Sequence, residues 1–298
     1  MDIQDSHWNI KEGIIIRAYM PIGYYPKKAL GQKDSSFIID EKLIFSAVRF
    51  KAVGIEEYYI EREWIVPEEV KLLSSIALSV EDDRGKVFAY PHPVGFRIED
   101  KGYDLSEIST LLEFQSALTR KIKDENNTFW QTVSPPLALG GPEYQINESV
   151  ANLSRQMEIY DAINLDDHLL IRGLGAFLKG DLLSVHHIFH TEACISLHIA
   201  MEATLQIILR RLRNNIHNPS NKDASEYLGN VFNSKYIPEK YFEDYYRDRI
   251  VAVHPSNRIG TFPDAPLSAD DFYDLYEQLR SVYDFLITGN IRKSFCGD

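Results

Sequence analysis

Residues 131–149, QTVSPPLALGGPEYQINES, divide the chain. Pro135, Pro136, Gly140, Gly141 and Pro142 crowd this stretch. It has neither a helical nor a strand period, and breaker-rich segments of this kind connect domains rather than build them. Strand signals precede it and stop at it. The sequence therefore predicts an α+β fold in two parts: a mixed α+β domain over residues 1–145, then an all-α helical bundle over residues 146–298.

Toward the N-terminus two periods alternate. Gly13 to Tyr19, Leu43 to Lys51, Lys86 to Tyr90 and Pro93 to Glu99 are rich in β-branched and aromatic residues and are predicted as strands, with Pro91-His92-Pro93 as a turn between the last two. Tyr58, Ile60, Arg62, Trp64 and Val66 alternate with Tyr59, Glu61, Glu63 and Ile65, the pattern of a strand with one mainly polar face. Tyr24-Tyr25 and Tyr58-Tyr59 read as packing aromatics. Pro67 followed by Glu68 and Glu69 signals a helix start, before Val70, Leu73, Ile76, Ala77 and Val80 at helical spacing. Asp104 and Glu107 have the spacing of a capping box ahead of Leu105, Ile108, Leu111, Leu112, Gln115 and Leu118.

Toward the C-terminus only helical periods remain. Val150, Leu153, Met157 and Tyr160 open one helix, Leu169 to Leu178 form a second, and a third is predicted from about Leu182 to Leu212. After Tyr227 to Phe232, a helix starting near Pro238 must stop at His254, because Pro255 disfavours the α conformation in the residue before it. Ser268 and Asp271 have the spacing of a capping box for a closing helix with the apolar stripe Phe272, Leu275, Leu279, Val282, Tyr283 and Leu286.

Composition narrows the function classes. The chain has 298 residues, a net charge of −12 and two cysteines, Cys194 and Cys296. Sparse cysteine and an N-terminus without a basic segment leading into an apolar one predict a cytoplasmic protein in a reducing compartment. The longest apolar region, Ala193 to Leu209, is broken by His198 and Glu202 and reads as a core helix, so no membrane partner is expected. The acidic excess is shared by both halves and leaves no broad basic field for a long nucleic acid. An RNA substrate would have to be held at a small local site. Gly140-Gly141 leads into Pro142 and Glu143, not into the Lys and Ser or Thr of a phosphate-binding loop.

One segment concentrates chemistry. Between Tyr241 and Gly260 lie Arg247, Asp248, Arg249, Ile250, His254, Pro255 and Arg258, of which Arg247, Arg249 and His254 put two arginines and a histidine at the end of one predicted helix. An Arg, a short spacer and a His at the end of a late helix resemble the HEPN (higher eukaryotes and prokaryotes nucleotide-binding) family. The proline after His254, the closing helix and an earlier long helix with an acidic residue amid apolar ones, Met201-Glu202-Ala203, are similar as well. The likeness covers the C-terminal half only.

The resemblance implies metal-independent RNA cleavage without a cofactor, carried out by a homodimer whose two protomers pool their groups. Imidazole is the side chain whose unperturbed pKa suits proton transfer near neutrality, which fits His254. Arg offers a permanent charge and a planar fork of donors to phosphate oxygens. At ~100° per residue, Arg247 lies within ~20° of the His254 face and Arg249 about 140° away, whereas the family spacing favours Arg249. The two arginines remain alternatives. Asp248 and Glu202 are the supporting carboxylates. Such a domain behind an α+β module that senses, recruits or restrains suits a bacterial toxin or antiviral defence effector.

Other readings stand beside this one. Active relatives usually have a polar residue after the motif Arg, but Ile250 follows Arg249. That departure favours a non-catalytic nucleotide-binding, dimerisation or scaffold domain. His186, His187, His190, Cys194, His198 and Glu202 crowd one predicted helix, and two neighbours among them have metal-ligand spacing. Four on one helix spread over ~18 Å of axis and could not share one ion. Buried, hydrogen-bonded side chains are the simpler expectation, and no metal site is predicted.

Overall fold

The central strand of the N-terminal sheet, β1 (Glu12–Ile22), has the sequence EGIIIRAYMPI, and its alternation sends neighbouring side chains to opposite faces. A computed structural model of the chain describes residues 12–22, 28–31, 35–39, 44–51, 66–79, 88–124, 153–184, 189–232, 237–238, 240–245 and 269–292. The strand predicted at residues 58–66 lies outside them, apart from Val66, as does the predicted linker. By internal contacts the chain forms two units. The first comprises Met1–Leu73 and Val80–Asn152, and the second Ser74–Ser79 and Leu153–Asp298.

In the first unit, β1 is joined by β2 (Lys28–Gly31), β3 (Ser35–Ile39), β4 (Ile44–Lys51) and β5 (Phe88–Ile98). The order is β2-β3-β4-β1-β5 with every pair antiparallel. Ile14, Ile16 and Ala18 share one core with Phe45, Ala47, Ile98, Leu105, Leu111, Phe114 and Leu118. Ile15 clusters instead with Phe50 and Val66.

A helix packs on one face of the sheet, and another begins at the opposite face. α1 (Pro67–Ser79) begins as predicted, with the Glu69 carboxylate accepting from the Val66 N–H at 2.9 Å. Glu69 is fully buried and also pairs with Arg17 of β1 at 2.9 Å. α2 (Ile108–Asp124) covers the other face.

Two expectations in this unit are corrected. Residues 88–98 form one strand, not two joined by a turn. Pro91 and Pro93 are accommodated because β5 is an edge strand and its pairing with β1 is irregular between Arg17 and Tyr19. Asp104 does not form a capping box with Glu107. Its carboxylate accepts from the Ser106 N–H at 2.9 Å and hydroxyl at 2.6 Å, and the helix starts at Ile108. Phe114 is therefore a buried anchor of the helix, while Ile108 and Leu112 are exposed.

The described elements of the second unit are all helical: α3 (Leu153–Ala162), α4 (His168–Ser184), α5 (His190–Leu212), α6 (Asn221–Val231) and α7 (Ala269–Thr288). The helix predicted from Leu182 to Leu212 is divided, since Leu182 to Ser184 complete α4 and α5 starts at His190. Close approach joins the two, for a Cβ on Gly180 would stand 2.6 Å from Leu197 Cδ2. Phe177 stacks on Tyr276 of α7 at 4.7 Å between ring centroids.

By length and composition α5 is apolar enough to cross a membrane, yet 72% of its apolar window is buried inside the protein. α6 is closed at its start by a capping box between Ser220 and Asp223. All six predicted stripe residues of α7 are buried.

Candidate functional site

The segment that bears the arginines and His254 follows helical residues 241–245, the part of its helix that is described. The Tyr241 N–H donates to the Pro238 carbonyl at 3.0 Å and the Asp244 N–H to the Lys240 carbonyl at 2.9 Å. Tyr241 and Phe242 are fully buried, so apolar burial anchors the turn beyond what its backbone bonds provide.

Polar contacts fix it further. The Phe242 N–H donates to Ser225 Oγ of α6 at 3.2 Å, and that hydroxyl donates to Glu243 Oε2 at 2.7 Å. The Tyr245 hydroxyl donates to Gln278 Oε1 of α7 at 3.0 Å. Burial, together with the neighbouring Tyr245 and Tyr283 phenols, pushes the Tyr241 hydroxyl well above its usual pKa and keeps it neutral.

These contacts give the turn a direction. Tyr241 lies beside Tyr283 and Tyr245 beside Gln278, so the turn runs antiparallel to α7. α5 runs parallel to α7, with Ala200 bonded to Tyr283 and His190 beside Phe272, 5.5 Å between ring centroids.

Of the predicted site residues, Glu202 is described and half-buried on α5 between buried Met201 and Ala203. Arg247, Asp248, Arg249, Ile250 and His254 lie outside the described residues, as do His186 and His187. Within α5, Cys194 and His198 are buried, and Cys194 Sγ is 3.8 Å from His190 Nε2. Among the described residues, no three His, Cys, Asp or Glu side chains are grouped so as to hold a metal ion. His217 lies in the loop after α5, next to Asn218 in the left-handed conformation at φ 56°.

Ser225, Glu243, Tyr245 and Gln278 are the additions that the sequence did not reveal. Their bonds span 17 to 33 residues, and no periodicity or motif encodes such pairings. No protein-family model, curated protein or solved structure matches the chain significantly.

Proposed function

We propose that the chain is a metal-independent endoribonuclease of the HEPN type, acting as a homodimer and suited to a toxin or antiviral defence role. The observation that carries this reading is the anchored turn. The segment containing Arg247, Asp248, Arg249 and His254 follows directly from a turn buried at Tyr241 and Phe242 and bonded to two helices. Catalytic groups need such a support, because a small misplacement costs large factors in rate.

In the proposed reaction an imidazole, that of His254, takes the proton from a ribose 2′-hydroxyl. The 2′-oxygen attacks the adjacent phosphorus, and the bond to the 5′-oxygen breaks. The leaving oxygen gains a proton from the partner protomer's imidazole or from water. Products are a 2′,3′-cyclic phosphate and a 5′-hydroxyl. Arg249 or Arg247 stabilises charge developing on the non-bridging oxygens. Asp248 orients the arginine, and Glu202 supports the root of the segment. Substrate contact is local, because the net charge of −12 offers no broad attraction for phosphates.

Purified protein incubated with RNA in the presence of a chelator, beside His254→Ala, tests the reading. Cleavage by the wild type alone is expected. Equal cleavage by both, or by neither, ends it.

Ile250 favours a second reading, in which the same helical unit binds a nucleotide or dimerises as a scaffold. A nucleotide-dependent rise in melting temperature without RNA cleavage would support this one instead.

A further inference from the structure

A helix normally supplies its own N-terminal cap, from a Ser, Thr, Asp or Asn beside its first turn. Among the described residues before the turn at 241–245, Ile237, Pro238 and Lys240 carry no such acceptor side chain. An acceptor comes from another helix. Ser225 of α6 is 1% exposed, and its hydroxyl both accepts from the Phe242 N–H at 3.2 Å and donates to Glu243 at 2.7 Å. One buried hydroxyl thus joins the backbone and a side chain of the same first turn. It is a cap that a neighbouring helix supplies.

We infer that Ser225 caps this turn in trans and is a positioning residue for the arginine and histidine that follow. The inference rests on the reading proposed above for its functional consequence. Arg247 is two residues beyond Tyr245 and Arg249 four, so a turn that frays at Phe242 loosens the support of both. The Tyr245 to Gln278 bond at 3.0 Å secures the far end of the same turn. Docking of α6 and ordering of the turn become one event, because neither hydrogen bond of Ser225 forms when α6 is displaced.

The test uses the full chain with Ser225→Ala, which removes one oxygen from a buried site, and Ser225→Thr, which restores the hydroxyl. Backbone amide exchange at Phe242 and the amides after it is expected to quicken about 5- to 10-fold in Ser225→Ala, the usual consequence of losing a cap. Exchange in α4 should not change, and Ser225→Thr should return Phe242 toward the wild-type rate. In RNA cleavage, Ser225→Ala should lower kcat with little change in KM and displace the pH–rate profile.

Unchanged exchange at Phe242 in Ser225→Ala would overturn the inference. So would a quickening shared equally by α4, which would mark a general loss of stability. A wild type that cleaves no RNA would end the nuclease reading, while the exchange result would still decide whether Ser225 caps the turn.

Discussion

The Tyr283 hydroxyl donates to the Ala200 carbonyl at 2.7 Å, in the buried place where α7 meets α5. Gly173 of α4 makes this possible. A Cβ there would collide with the Tyr283 hydroxyl and stand 2.6 Å from Ala203 Cβ. Tyr283→Phe should cost about 1 kcal/mol in urea unfolding, the net worth of a buried hydrogen bond. Gly173→Ala should cost more, about 1–3 kcal/mol from overpacking, despite alanine's better helix propensity. The pair should be less than additive, since removing the hydroxyl removes the nearest obstacle. A stabilising Gly173→Ala would contradict this packing.

Asp167 links the start of α4 to Arg210 near the end of α5. Burial opposes its ionisation. The hydrogen bond and charge of Arg210 and the backbone N–H groups of Leu170 and Leu169 outweigh that, holding its pKa below the ordinary 3.8. The folded value is depressed, so the stabilisation is fully present above 3.8 and is lost as pH falls through the folded value. Melting temperature against pH should show an acid limb that is shallower in Asp167→Asn. Identical limbs would remove Asp167 as a contributor.

The second unit includes Ser74–Ser79 from the distant α1. Gln156 Nε2, buried on α3, donates to Ser75 Oγ at 2.7 Å, and Arg292 reaches the Leu78 carbonyl at 3.5 Å. A fragment of residues 146–298 should therefore melt below the helical unit of the full chain, because a buried amide left unpaired costs about 1–3 kcal/mol. Calorimetry on both would check this, and an unchanged helical transition would show Ser74–Ser79 to be dispensable.

Legibility followed the physics of each element. α7 was readable because a helix with one buried face must repeat its apolar residues, and Phe272 through Leu286 do so. β1 and β4 announced themselves by β-branched alternation. β5 was hidden by Pro91 and Pro93, which argue against a strand until its edge position is known. The break between α4 and α5 had no local signal, for Phe189 occupies the N-cap without a side-chain cap bond. α6 did carry one in Ser220 and Asp223. The anchor of the candidate site could not be read at all, because Ser225 and Gln278 meet the turn only through the fold.

In the proposed nuclease one helix ending delivers a guanidinium and an imidazole together to a scissile phosphate. The most direct measurement is the end chemistry of RNA fragments by mass spectrometry after digestion in a chelator. Wild type should yield 2′,3′-cyclic phosphate ends, and His254→Ala should form them about 100-fold more slowly or worse. Arg249→Ala and Arg247→Ala, compared side by side, would identify the motif arginine by the larger loss. Fragments with other ends, or cyclic phosphate formed equally by His254→Ala, would contradict the account.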